Sequence, residues 1–167
     1  MTALTLFHVA ISLVGIGSGF VVIFGFLKDR RPHGWTALFL TTTVLTSVTG
    51  FLFPFHKFLP SYAIGALSLL ILAIAILGRY RFHLNGAWRP IYVVSAVAAQ
   101  YFNVFVLVAQ LFAKVPALKA VAPTQSEPPF AITQLIVLAL FVWLGVLAVK
   151  RFRGQPAQAA FSSSSSR

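Results

Sequence analysis

A chain of 167 residues that is 59% hydrophobic and 9% charged, with a mean hydropathy of +0.90, excludes a water-soluble globule: soluble domains carry roughly 25% charged residues, and one this small exposes too much area to hide the excess. The net charge of +11 does not mark a nucleic-acid binder, because the basic residues sit in short clusters at the ends of apolar runs and no basic loop is long enough to fill a groove. The absence of cysteine removes disulfides, thiolate metal sites, iron–sulfur clusters and thiol nucleophiles together.

Crossing a hydrocarbon core of ~30 Å takes about 20 helical residues. Five apolar runs approach or exceed that length, at residues 4–27, 35–55, 62–77, 90–112 and 130–149. Each run is continuous rather than alternating, which predicts helices and not barrel strands. The expected fold class is therefore all-α, a polytopic transmembrane bundle over residues 1–153.

The first run has no basic stretch before it and is too long for the apolar core of a cleavable signal, so none is expected. Its segment GIGSGF belongs to a face on which Ser12, Gly15 and Gly19 are spaced i, i+3 and i+7. Small residues at that spacing let two helix backbones approach closely. Packing inside the bundle is the first expectation; a seam to a second copy or to another membrane protein is the other.

The second run carries Thr41, Thr42, Thr43, Thr46, Ser47 and Thr49. Their hydroxyls can bond back to carbonyls one turn earlier, so they need not line a pathway. Pro54, Lys57 and Pro60 predict a tight interfacial turn before the third run. A single span across this region would bury Lys57 in lipid, at a cost of several kcal/mol. Pro60 and Gly78 bound the third run. In the fourth, Gln100, Asn103 and Gln110 fall within about 80° of one another at 100° per residue, and Ala96 continues the stripe. A face this polar avoids lipid. It bonds to other helices, at around 0.6 kcal/mol per contact, or offers amide groups to a lipid-like or quinone-like ligand.

The segment 115–129 holds Pro116, Pro123, Pro128 and Pro129 and is expected to be mostly irregular, with a short interfacial turn at 117–122. Residues 154–167 end in SSSSSR and predict a disordered cytoplasmic tail.

Orientation follows from the charges. Lys28, Arg30, Arg31, Arg79, Arg81, Arg89, Lys150, Arg151, Arg153 and Arg167 fall on one side of the spans, against Lys57, Lys114 and Lys119 on the other. Lys and Arg are retained in the cytoplasm, so the N-terminus is expected outside and the C-terminus inside, in a cell inner membrane. Trp35, Trp88, Tyr62, Tyr80 and Tyr92 mark span ends and read as an interfacial belt. The only two acids, Asp29 and Glu127, fall in loops, so no span offers a carboxylate to titrate or to bind an ion.

The four histidines sort into an outer pair, His8 and His56, and an inner pair, His33 and His83. Histidines from adjacent helices can ligate haem iron or a divalent metal. This placement weakly resembles membrane di-haem b-type cytochromes and small histidine-bearing bacterial inner-membrane proteins of unknown function. The resemblance implies haem at a histidine pair; for haem or a metal the outer pair, His8 and His56, is the better candidate because His8 lies within a span, and the bland reading is that interfacial histidines anchor the helices.

Three functions are compatible with these features. The preferred one is a non-catalytic accessory, lipid-binding or assembly module whose partners are membrane lipids or another membrane protein. The alternatives are a haem- or quinone-binding electron-transfer protein and a small oligomeric channel or carrier.

Overall fold

The computed structural model describes residues 3–52 and 60–153, with residues 60–62 described by backbone alone. The described residues form helices and connecting turns, with no strand among them. In chain order α1 is Ala3–Leu27, α2 His33–Gly50, α3 Pro60–Ile76, α4 Trp88–Lys114, α5 Pro116–Val121 and α6 Pro128–Arg151. A π-helical turn, Leu77–Arg81, prolongs α3.

Four helical stretches are long and apolar enough to cross a membrane: Ala3–Leu27, Ala63–Arg81, Trp88–Lys114 and Pro128–Arg151. Their mean hydropathies run from 1.9 to 2.5. The second expected span, α2, is not among them, because its threonines dilute its apolar residues. It nevertheless runs antiparallel to α1 along most of its length, pairing Thr49 with His8, Thr42 with Gly15 and Pro32 with Gly25.

Helix α4 is the hub, packed against α1, α3 and α6. Small residues on its inward face, Ser95, Ala96 and Ala99, are buried and let the neighbours come close. The rings of Phe26, Tyr92 and Phe152 close the core where α1 and α6 end and α4 begins, with centroids 5.5 Å apart for Phe26–Tyr92 and 5.0 Å for Phe26–Phe152. The outward surface is apolar: Leu135, Ile136, Val142 and Trp143 on α6 are more than half exposed. That distribution suits a solvent of hydrocarbon.

Several boundaries differ from expectation. Helix α2 ends at Gly50 and not at 55. Gly78 does not end the third run; its missing side chain lets Trp88 and Tyr92 pack close, and the π turn carries on past it. The short turn expected at 117–122 is a helical turn, α5, that begins one residue earlier, because Pro116 sits in its first turn, where it has no hydrogen bond to lose. Pro128 and Pro129 open α6 in the same way. The expected turn at Pro54 and Lys57 and the tail 154–167 lie outside the described residues.

Candidate anion-binding site

The ends of α1 and α6, the starts of α2 and α4, and the π turn meet at one end of the bundle. The basic clusters predicted to share a side meet here. The Asp29 carboxylate accepts the Arg153 backbone N–H at 2.8 Å, and Arg89 Nη1 donates to the Arg153 carbonyl at 3.3 Å. Asp29 is the one acid at this end, since the other acid of the chain, Glu127, lies at the start of α6.

Arg79 is the centre of the site. It stands in the π turn and is 8% exposed. A π turn takes one residue more than an α turn, which rotates the side chains after it relative to the preceding helix. Nη1 donates to the Tyr92 hydroxyl at 3.3 Å. Nη2 donates to His33 Nδ1 at 3.1 Å. An arginine has no acceptor to offer, so His33 Nδ1 is the unprotonated nitrogen in this pairing. The guanidinium carbon also lies 5.5 Å from the Tyr80 ring centroid and 5.6 Å from that of Tyr92. Among the described residues no carboxylate reaches Arg79.

Arg31, His33, Arg79, Tyr80, His83 and Leu84 surround a cavity of about 230 Å³. The backbone on its far wall is strained: His83 (φ 50°) and Leu84 (φ 61°) are both left-handed, at roughly 1–2 kcal/mol each for residues with a side chain. Such conformations persist only where the surroundings enforce them. Here Leu84 N–H bonds to the Gly78 carbonyl at 3.0 Å, Leu84 is buried, and Phe82 stacks on Trp88 at 3.9 Å and 5°. A second, largely apolar cavity of about 420 Å³ lies between α2 and α3, lined by Ala37, Leu40, Thr41, Val44, Leu45, Ile76 and Tyr80. Tyr80 borders both.

No family model, curated protein or solved structure matches the chain.

The residues singled out from sequence are distributed differently. The Ser12, Gly15 and Gly19 face packs within the chain. A methyl on Gly15 would press on the Thr42 and Thr43 hydroxyls, at 3.2 and 3.4 Å. A methyl on Gly19 would collide with the Gln100 carboxamide and with the Phe39 ring. Ser12 bonds back to the Val9 carbonyl at 2.8 Å. The glycines of this face are thus covered by α2 and α4.

The polar stripe on α4 splits. Gln100 is fully buried and donates to the Ile16 carbonyl at 2.8 Å, while its own Oε1 has no hydrogen-bond partner among the described residues. Asn103 donates to Thr43 Oγ1 at 3.1 Å. Both amides tie α4 to the α1–α2 pair. Gln110, at the other end of α4, is exposed.

His8 Nδ1 lies 2.8 Å from Thr49 Oγ1, whose hydrogen is directed to the Leu45 carbonyl at 2.7 Å. His8 therefore links α1 to α2. Its proposed haem partner, His56, lies outside the described residues. Among those residues no cluster of three or more potential metal ligands forms.

Tyr92 departs from the expected aromatic belt. It is fully buried and holds Arg79, whereas Trp35 and Tyr80 are about half exposed, as anchors are. Sequence reading used Arg79 only as a topology marker. The signal for more was the compressed run GRYRFH directly after an apolar helix.

Proposed function

We propose that this chain is an integral, non-catalytic lipid-binding module of a cell inner membrane, crossing it five times with the N-terminus outside and the C-terminus in the cytoplasm. The observation that carries the reading is the gathering of cations around Arg79 at one end of an outwardly apolar bundle. Asp29 is the single acidic side chain at that end, so the cations there outnumber the acids. The cytoplasmic leaflet carries anionic lipids that attract basic segments at roughly 1 kcal/mol per Lys or Arg near the surface. The same asymmetry supports the orientation. Helix α2 supports a fifth crossing: it is 18 residues long, about 27 Å at 1.5 Å per residue, and two of its hydroxyls bond back within the helix, Thr42 to the Leu38 carbonyl and Thr49 to the Leu45 carbonyl, each at 2.7 Å.

The absence of cysteine makes topology directly testable. Ser126→Cys is expected to react with a membrane-impermeant maleimide on intact cells. Asn85→Cys is expected to react only after permeabilisation. Labelling of both from outside would rule out the five-span orientation. The lipid-binding reading predicts that thermal stability in mixed micelles rises with the fraction of anionic phospholipid. A protein that stayed dissolved as a compact monomer without detergent or lipid would end the proposal altogether.

A further inference from the structure

We infer that the basic end contains a built subsite for one anionic phospholipid, its phosphate in the cavity around Arg79 and an acyl chain in the apolar groove between α2 and α3. The inference rests on the lipid-binding reading above and specifies where and what the protein binds.

The head-group half follows from charge. Arg31, Arg79 and two histidines line the cavity and no acid does. Arg79 is buried with two neutral acceptors, the Tyr92 hydroxyl and His33 Nδ1, and no carboxylate among the described residues. A buried guanidinium carries five N–H donors in a planar fork suited to phosphate. Burying it without a counter-ion is costly, so an anion entering this cavity meets a charge already stripped of water. The Arg79–His33 contact leaves the His33 Nε2–H as a further donor.

The tail half follows from size and placement. At about 230 Å³ the cavity is smaller than the ~300–1,000 Å³ that encloses a whole small ligand, so an occupant extends beyond it. The adjoining cavity offers the extension, with Tyr80 as the shared wall and Ala37, Thr41 and Leu45 exposed along α2. From His33 to Leu45 the helix rises about 18 Å, close to half of a ~30 Å hydrocarbon core. A cationic mouth at the membrane surface and an apolar groove one leaflet deep fit an amphiphile with a phosphate head. They do not fit a soluble anion, which would leave the groove unused.

Native mass spectrometry of the full chain released from micelles doped with phosphatidylglycerol or phosphatidylcholine tests this. The wild type is expected to retain one phosphatidylglycerol at least tenfold more strongly than phosphatidylcholine. Arg79→Gln should abolish that preference. Because Arg79 is buried and its loss can unfold the protein, the double variant Arg31→Gln/His83→Ala, at positions that are not buried, is expected to lower retention about tenfold while the protein stays folded. Thr41→Trp fills the groove and should cut phospholipid retention by a similar factor, leaving untouched any thermal stabilisation by millimolar inorganic phosphate.

Equal retention of the two lipids would overturn the phosphate assignment. Undiminished retention in Thr41→Trp would overturn the groove. Inorganic phosphate that displaced phosphatidylglycerol completely would assign the cavity to a soluble anion and overturn the lipid subsite. General stabilisation by anionic lipid with no retained molecule would sink the subsite and leave the broader lipid-binding reading standing.

Discussion

At the end of the bundle that holds His8, Lys114 and Glu127, three polar side chains find partners inside the chain. His8 meets Thr49, Gln125 Nε2 donates to the Ala109 carbonyl at 2.8 Å, and Glu127 accepts from Thr124 and Ser126. At the opposite end Arg79 is buried against neutral groups and cations far outnumber acids, whereas left-handed backbone occurs at both ends, at His83 and Leu84 here and at Gln125 there. The first arrangement is what a helix bundle needs in order to hold together. The second buries a guanidinium away from any described carboxylate, which helix packing alone does not require. The contrast is the ground for proposing the lipid site at the basic end.

The middle of the bundle sets the scale against which both ends are judged. Gly19→Val drives a branched side chain into the Gln100 carboxamide and the Phe39 ring. Overpacking of this kind costs about 1–3 kcal/mol, occasionally more, so a clear fall in melting temperature in detergent is expected. Gly17 meets nothing within 4 Å, and Gly17→Val on the same helix should be close to neutral. Equal effects of the two would show that α1 does not pack on α4 through Gly19.

The next effect discriminates between the ends directly. Tyr92→Phe removes a hydroxyl that accepts from a buried guanidinium. Hydrogen bonds to charged groups are worth about 1.5–3 kcal/mol. His8→Ala at the other end loses an ordinary interhelical contact of about 0.6 kcal/mol. Tyr92→Phe should therefore be the more destabilising, and addition of anionic phospholipid should narrow the gap by giving Arg79 another partner. A larger loss from His8→Ala would reverse the contrast between the ends.

The smallest effect lies in the loop before α6. Desolvation pushes the Glu127 carboxyl upward, but hydrogen bonds from the Thr124 hydroxyl at 2.8 Å and from backbone N–H groups together outweigh it and hold the carboxyl below its ordinary value. A group held low adds stability above its unfolded-state pKa and loses that contribution as pH falls through the depressed one. Hydrogen exchange at residues 122–128 should accelerate, relative to its intrinsic rate, as the solution is acidified through that range. Glu127→Gln should flatten the profile; an unchanged profile in that variant would remove Glu127 as its cause.

Much of this site was visible in the chain as an inventory. The basic clusters fall on one side by charge counting, and His33 and His83 fall on the same side by their positions between spans. Their meeting around Arg79 was not legible, because it depends on a π turn whose one extra residue changes which way Arg79 faces. Tyr92 looked like a surface anchor for a related reason: aromatic residues at span ends usually stand at the interface, and only the approach of α1 and α3 to α4 buries this one. The amide stripe on α4 was legible as a polar face. Which amides would be used to tie helices together was not, since Gln100 owes its role to the space left by Gly19 on another helix.

By itself the sequence determined that this chain is helical and apolar on its outside. Long hydrophobic runs with basic ends leave the backbone no other way to satisfy its hydrogen bonds in hydrocarbon. Only the tertiary structure decided which polar groups are consumed in packing and which face an opening. That division depends on helix phase and on distances between helices far apart in the chain, and hydrophobic periodicity carries neither.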